Sequence, residues 1–339
     1  MTKKTTGFVL GKFMPFHKGH ELLLNFANNF VDQLYVVVDP IKNEVIPMKK
    51  RGEWLQKTIP EIEVIYLTKY HPQEPKEDPN FWQIWQNSLL AILPAKIDYV
   101  FASETYGFKL AEILNAQFIP VDLHRKTIPI SATKIRENLA QNWDFLADIV
   151  KLDFLMRVCI FGPESTGKTT LCQQLATYFK TVYVPEYARL FIETKGDFKQ
   201  QDLINIVRGQ IALEKTIAPK AKQILFCDTD PLTTTIWSEW LFNNCDPEII
   251  NLASKTDYNF YLLTDIDLEW KPDQVRYFPE KRAEFFTSCL NCLEKNKRPY
   301  FIINGKGKNR LENAIKIISL KLNEHFNRFN ILNFPLRDK

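Results

Sequence analysis

The sequence predicts an α/β protein of two successive domains, each a parallel sheet with crossover helices, and three observations carry that prediction. At 339 residues the chain exceeds the size at which one hydrophobic core stops growing. Apolar runs of strand length alternate with amphipathic segments of helix length. A strand, glycine loop and helix open the chain, and the same pattern opens again at Met156. The restart marks a new domain, so the boundary is placed near residue 150, giving domains 1–150 and 151–339.

In the first domain Gly7–Leu10 and Leu34–Val38 read as short buried strands, with a helix at Glu21–Phe30 between them. Val64–Leu67, Tyr99–Ala102 and Phe118–Val121 supply further strands. Tyr70–Asn80, rich in Pro and charge, reads as a loop ahead of a helix at Phe81–Leu93. In the second domain a strand at Arg157–Phe161 and a helix at Lys168–Phe179 flank a glycine loop. Val182–Val184, Ile224–Cys227, Asn259–Leu263 and Tyr300–Ile303 complete the expected strands.

Composition narrows the function classes. Apolar and charged fractions of 45% and 25% are those of an ordinary globular protein. A net charge of +4 is too small to argue for nucleic acid or an anionic membrane, and suits small anionic partners. No apolar run approaches the roughly 20 residues that span a bilayer. Lys12, His17 and Lys18 interrupt the first apolar stretch before a signal-type segment forms, so a cytoplasmic location is expected. Of six cysteines, Cys289 and Cys292 form a Cys-x-x-Cys within a predicted helix (Glu284–Glu294). No second pair stands nearby, so a four-ligand zinc site is not expected.

Gly162-Pro163-Glu164-Ser165-Thr166-Gly167-Lys168-Thr169, with Thr170 following, satisfies the full G-x-x-x-x-G-K-[ST] pattern of a phosphate-binding P-loop. Loop N–H groups and the helix N-terminus cradle phosphates, Lys168 neutralises the β/γ charge, and the Thr169 hydroxyl ligates Mg2+ brought with ATP. Such a loop needs a carboxylate near the metal. Asp228, directly after an apolar strand, is the Walker-B-type candidate and second metal residue. Glu186, closing a shorter strand, is a candidate base for an attacking hydroxyl, a role Asp228 could also take. Arg189 is its ion-pair partner or a phosphate ligand. Arg276, Lys281 and Arg282 follow the Trp270-Lys271-Pro272-Asp273 loop and are candidates for a basic lid.

In the first domain Gly11-Lys12-Phe13-Met14-Pro15-Phe16-His17-Lys18-Gly19-His20 joins the first strand to the first helix. His17 and His20 stand three residues apart at a helix start, with Gly19 between them leaving room for phosphate. Ile130-Ser131-Ala132-Thr133-Lys134-Ile135-Arg136 begins another helix. Ser131 or Thr133 reads as its N-cap, and Arg136, one turn on, points toward the same anion.

These two segments resemble the H-x-G-H and I-S-S/T-T-x-x-R signatures of the nucleotidyltransferase superfamily. With Ser103–Gly107, Val121–Arg125 and the P-loop half, nearly the whole chain resembles the NadR-type bifunctional family. The resemblance implies a Rossmann-like nucleotidyltransferase domain followed by a P-loop NTPase-type kinase domain. It implies phosphorylation of nicotinamide riboside with ATP in the second domain. It also implies attack of the mononucleotide (NMN) 5′-phosphate on the α-phosphorus of ATP in the first, giving NAD and pyrophosphate. His17 and His20 would stabilise the transferring phosphoryl group, with Ser131, Thr133 and Arg136 on the β/γ end. Gly11, Lys12, Phe13, Arg51, Glu104, Tyr106, Asp122 and Arg125 would line the nucleotide pocket, and Trp270, Asp273 and Arg276 the kinase lid. Trp82, Trp85, Trp240 and Trp270 are candidates for stacking on a nicotinamide ring.

The chain departs from the family pattern in two places. Some members carry an N-terminal helix-turn-helix; this sequence opens on the catalytic strand, so DNA binding is not expected. Asp273–Arg276 lacks the glycine expected between Asp and Arg. A homo-oligomer stays open, as do a regulator with one inert site and a different phosphorylated acceptor.

Overall fold

The computed structural model describes residues 4–42, 44–94, 96–196, 199–272 and 279–330. Two compact units meet in sequence at Asp153 and Phe154, the second being Phe154–Asn327.

In the first unit the order is β1 (Thr6–Gly11), α1 (Lys18–Phe30), β2 (Gln33–Val38), α2 (Met48–Thr58), β3 (Glu63–Tyr66), α3 (Phe81–Ile92), β4 (Tyr99–Ala102), α4 (Tyr106–Ile113), β5 (Gln117–Pro120), α5 (Ala132–Glu137) and α6 (Asp148–Phe154). All five strands are parallel, in the order β3-β2-β1-β4-β5. The chain leaves β1 toward one edge and returns to its other side at β4. The carboxyl end of β1 is therefore the topological switch point, where an open α/β sheet binds ligands. Phe8, Tyr35, Val37, Leu67, Trp85, Leu89, Val100 and Leu110 form the core beneath it, each large apolar side chain contributing about 1.5–3 kcal/mol by burial.

The second unit comprises β6 (Met156–Phe161), α7 (Lys168–Tyr178), β7 (Tyr183–Val184), α8 (Tyr187–Lys195), α9 (Leu203–Ile217), β8 (Ile224–Asp228), α10 (Pro231–Phe242), α11 (Pro247–Ser254), β9 (Phe260–Thr264), α12 (Arg282–Lys295), β10 (Tyr300–Ile303) and α13 (Gly307–Asn330). Its parallel strands run β10-β9-β6-β8-β7. Here too the glycine-loop strand, β6, is central. Val158, Ile160, Leu171, Leu175, Phe226, Leu262, Ala314 and Ile318 pack around it.

The predicted strands are all present, shifted by a residue or two, and β7 is shortened to two residues on the sheet edge. The first helix begins at Lys18, one turn earlier than Glu21, because the His17 side chain caps it. Trp85 is core and Trp82 half-buried beside it. Among the described residues no helix is long and apolar enough to cross a membrane.

Candidate active sites

In the first unit the loop after β1 folds back on itself. Phe13 takes φ 48° and turns its ring over Gly11, where a Cβ would lie 2.8 Å from it. His17 is the N-cap of α1, its Nδ1 accepting from Gly19 N–H at 3.1 Å and His20 N–H at 3.3 Å. That bond leaves Nε2 to carry the proton of the neutral ring. His20 stacks on it, ring centres 3.7 Å apart, with Phe13 and Phe16 on its other sides. Gly19 serves this packing: a Cβ there would sit 3.0 Å from the His17 ring. The space that a glycine could have opened to phosphate is filled by the buried His17 ring.

The second motif closes on the first. Ser131 caps α5, its Oγ accepting from Lys134 N–H at 3.2 Å. Arg136 then reaches back, donating to Met14 O at 2.7 Å and to Thr133 Oγ1 at 3.1 Å. Burial, then the Arg125 and Arg136 charges, hold His17 down at about 3. His20 is lowered well below its ordinary value by burial, the His17 ring and the same arginines. Both imidazoles are neutral near pH 7. They offer N–H donors inside a positive field, an arrangement that favours an incoming polyphosphate.

The other residues singled out from the sequence of the first unit divide by what they already hold. Tyr106 Oη donates to Leu10 O at 3.1 Å, placing its ring at the end of β1. Arg125 pairs with Glu104 at 2.9 Å on an exposed rim. Asp122 accepts from the N–H groups of Lys126, Thr127 and Ile128; these bonds lower its pKa and shape the loop that carries Arg125. Arg51 is fully buried. Its guanidinium donates to the carbonyls of Ile46, Lys12 and Asp39 and pairs with Glu44. It anchors the Lys12 backbone and turns away from open space.

In the second unit the P-loop has left-handed or Gly-only backbone at Gly162 (φ 135°), Ser165 (φ 57°) and Gly167 (φ 78°). A Cβ on Gly162 would meet Thr264 O at 3.0 Å. Lys168 Nζ donates to Pro163 O at 2.9 Å, and α7 starts at Lys168 itself. Thr166 is buried; its hydroxyl lies 2.7 Å from Thr264 Oγ1 and bonds Pro163 O, so it braces the loop from behind. Sequence reasoning missed a further brace, Arg310 of α13. Almost fully buried, it donates to the carbonyls of Gly305, Thr166 and Asp265 and pairs with Asp267. Lacking any motif at position 310, only the fold exposes it. Arg310→Ala should destabilise the unit by about 3 kcal/mol or more, because the partners stay buried without a donor; thermal unfolding measures it.

Lys271 N–H donates to Ser165 Oγ at 2.8 Å, and Arg282 donates to Leu268 O and Ser165 O while lying over the Trp270 ring. The segment from Leu268 to Lys271 is thus tied to the P-loop, and Arg282 acts as its anchor. Asp273 and Arg276 lie outside the described residues. Trp240 donates to Ser288 and packs on Phe285, away from the cavity.

One cavity joins Gly162–Thr170 to Glu186, Arg189 and an apolar chamber lined by Ile192, Leu203, Ile206, Trp237 and Leu241. Glu186 stands at the α8 start, in a turn fixed by Gln210, which accepts from Tyr187 N–H at 2.8 Å and donates to Pro185 O. Arg189 lines the same cavity and pairs with Glu193 at 3.4 Å. Trp237 is the aromatic in the chamber, a position unlike any of the tryptophans singled out from sequence.

The two carboxylates after β8 differ. Asp230 caps α10 and accepts from Tyr261 Oη at 2.8 Å, so its bonds are spent on structure. Asp228 is fully buried behind Lys168 and Thr169, and neither oxygen has a hydrogen-bond partner. Burial, then the Glu186 charge, raises it to about 6, against the Lys168 charge. An orphaned carboxylate beside a P-loop threonine fits a divalent cation that takes one or two protein ligands and the rest from phosphates and water. No group of three or more metal-ligating side chains occurs among the described residues, as such a site requires none.

Because folding raises the Asp228 pKa above its unfolded value, the folded state binds the extra proton between about pH 4 and 6. Stability from this group falls across that window and stays lower above it. Asp228→Asn should therefore raise the neutral-pH unfolding temperature by a few degrees, for about 3 kcal/mol relieved, while reducing phosphoryl transfer sharply. A lower unfolding temperature would contradict the assignment.

Two family models match the chain, one in each unit. Residues 8–138 match the cytidylyltransferase-like family model and residues 157–310 an AAA domain model. The trifunctional NAD biosynthesis/regulator protein NadR of Escherichia coli (strain K12) is 27% identical over 317 residues, 87% of this chain and 77% of that one. Nicotinamide-nucleotide adenylyltransferase of Thermococcus kodakarensis is 26% identical over 160 residues, 45% of this chain and 82% of its own. A solved structure of NadR protein in complex with NAD and AMP-PNP superposes with a TM-score of 0.70 at 23% identity, covering 98% of this chain and 99% of that one, a likeness of fold. With both models in tandem, the chain is similar to NadR proteins along most of its length.

Proposed function

We propose that the chain makes NAD in two ATP-dependent steps, phosphorylating nicotinamide riboside to NMN in its second unit and adenylylating NMN in its first. The observation that carries this reading is that each phosphate loop leaves the central strand of its own sheet with a second motif folded against it. In the second unit Lys168 and the loop amides hold the ATP phosphates, and Trp237 and its apolar neighbours receive the flat base of the riboside. Glu186, at the junction of the two, accepts the proton of the ribose 5′-hydroxyl as it attacks the γ-phosphorus, and the bond from that phosphorus to the β,γ-bridging oxygen breaks to release ADP. Thr169 and Asp228 would hold Mg2+, whose charge offsets that of the phosphates.

In the first unit the NMN 5′-phosphate attacks the α-phosphorus of ATP and pyrophosphate leaves. Neutral His17 and His20 donate to the transferring phosphoryl oxygens, while Arg136, Ser131 and Thr133 face the leaving pyrophosphate. Likeness to the NadR and adenylyltransferase sequences supports both acceptors.

The test is to incubate the pure protein with ATP, Mg2+ and nicotinamide riboside and follow NMN, NAD and pyrophosphate. Sequential appearance of NMN and NAD is expected. No product from either riboside or NMN would overturn the reading. One step without the other would mark one site as a sensor.

A further inference from the structure

We infer that Asp39 is a nucleotide-positioning residue of the adenylyl-transfer site, its carboxylate accepting hydrogen bonds from a ribose diol at the carboxyl end of β2. This rests on the function proposed for the first unit. Asp39 directly follows β2, and its N–H donates to Gly11 O at 3.1 Å, so it stands beside the first residue of the phosphate loop. It is 3% exposed, and Oδ1 has no hydrogen-bond partner.

The surroundings explain why the protein does not satisfy that atom itself. Arg51, the nearest guanidinium, spends its N–H groups on three carbonyls and Glu44. Glu44 in turn accepts from Ile41 and Met48 N–H. Lys12 and Arg51 favour the ionised form with a bond from Gln73, burial and Glu44 oppose it, and the carboxyl sits raised to about 6. Tyr70 and Tyr106 lie within reach of its charge.

The segment that supplies Gln73 is fixed. His71 Nε2 lies 2.6 Å from Ser88 Oγ, Trp85 Nε1 donates to Pro72 O at 3.0 Å, and Gln73 donates to His71 O. A buried carboxylate oxygen without a donor is costly in a core, and the Arg51 and Trp85 donors nearby are directed to other partners. The missing donor is a ligand's.

A ribose diol has the right chemistry and place. Two adjacent O–H groups match a carboxylate acceptor. Neighbouring strands are about 4.8 Å apart, so Asp39 lies one strand spacing from the loop that holds the phosphates, close to the span from a 5′-phosphate to its ribose hydroxyls. An acid after the second strand of an open α/β sheet is well placed for that contact. The diol can belong to ATP or to the mononucleotide, and the test separates them.

Asp39→Asn and Asp39→Ser are assayed for adenylylation with NMN and ATP, then with 2′- and 3′-deoxy-ATP and with the 2′-deoxyribose analogue of NMN. The expected result is a rise in KM of about tenfold or more for one nucleotide, with a smaller change in kcat. The penalty that wild type pays for the deoxy form of that nucleotide should shrink toward one in both variants. Thermal unfolding of Asp39→Asn should be unchanged or higher, since a buried charge is removed.

Unchanged KM values, or equal deoxy penalties in wild type and variants, would overturn the inference; a purely structural role would leave those penalties intact. Should wild type form no dinucleotide, the proposed function falls. Equilibrium binding of the same nucleotides and their deoxy forms then decides the role of Asp39 by the same comparison.

Discussion

Replacing Lys168 with alanine is expected to lower riboside phosphorylation by about 10³-fold or more, the cost of removing a preorganised charge from a phosphoryl-transfer site, while NMN adenylylation stays within about twofold. Lys168 makes its hydrogen bond to Pro163 O at 2.9 Å, the carbonyl at the start of the loop, and so holds its ammonium over the cradle. Truncation takes away that charge and leaves the loop's other braces, the bonds of Thr166 and Arg310, in place. Stability should therefore change little, which thermal unfolding checks. The adenylyl-transfer residues belong to a different compact unit with its own sheet and core. Separate assays of riboside to NMN and of NMN to NAD read the two effects. Comparable loss of both steps would refute independent sites.

The strands, the order of the two domains and the two phosphate loops were legible in the sequence for a physical reason. Buried parallel strands are short apolar runs, and phosphate loops need glycine, lysine and hydroxyl groups at fixed spacing. Asp228 was legible as the carboxylate after such a run. What stayed hidden depends on the path of the backbone. Arg51 reads as one more cation on α2, yet the fold buries it beneath Lys12. Arg310 is 144 residues from the carbonyl of Thr166 that it holds. Trp237 on α10 carries no local signal separating it from Trp240 three positions on; only the packing of α10 against α9 and α12 sends one to the cavity and the other to Ser288. Asp39 is an ordinary strand-end acid until its neighbours' bonds are counted. Gly19 was legible as necessary, and the structure changed the reason: it admits the His17 ring.

Replacing His20 with alanine should lower NMN adenylylation by about 10²–10³-fold, the usual cost of one preorganised donor, and leave riboside phosphorylation unchanged. The His17 pair makes the argument sharper, because that imidazole does two jobs. Its Nδ1 caps α1, so His17→Ala loses about 1 kcal/mol of helix capping as well as the Nε2 donor. His17→Asn keeps a capping oxygen and removes the donor. If catalysis depends on Nε2, the asparagine variant restores the unfolding temperature and leaves the adenylylation defect; if it depends on the cap, both recover together. The pH dependence gives a second reading. His17 falls to about 3 in the folded state, so the unfolded chain binds more protons between about pH 3 and its ordinary 6.5, and stability from this group rises with pH through that window. The wild-type rate should then stay flat from pH 6 to 8 with respect to the imidazoles, since neither changes charge there. An inflection near 6.5 that disappears in His20→Ala would show that a charged imidazole does the work.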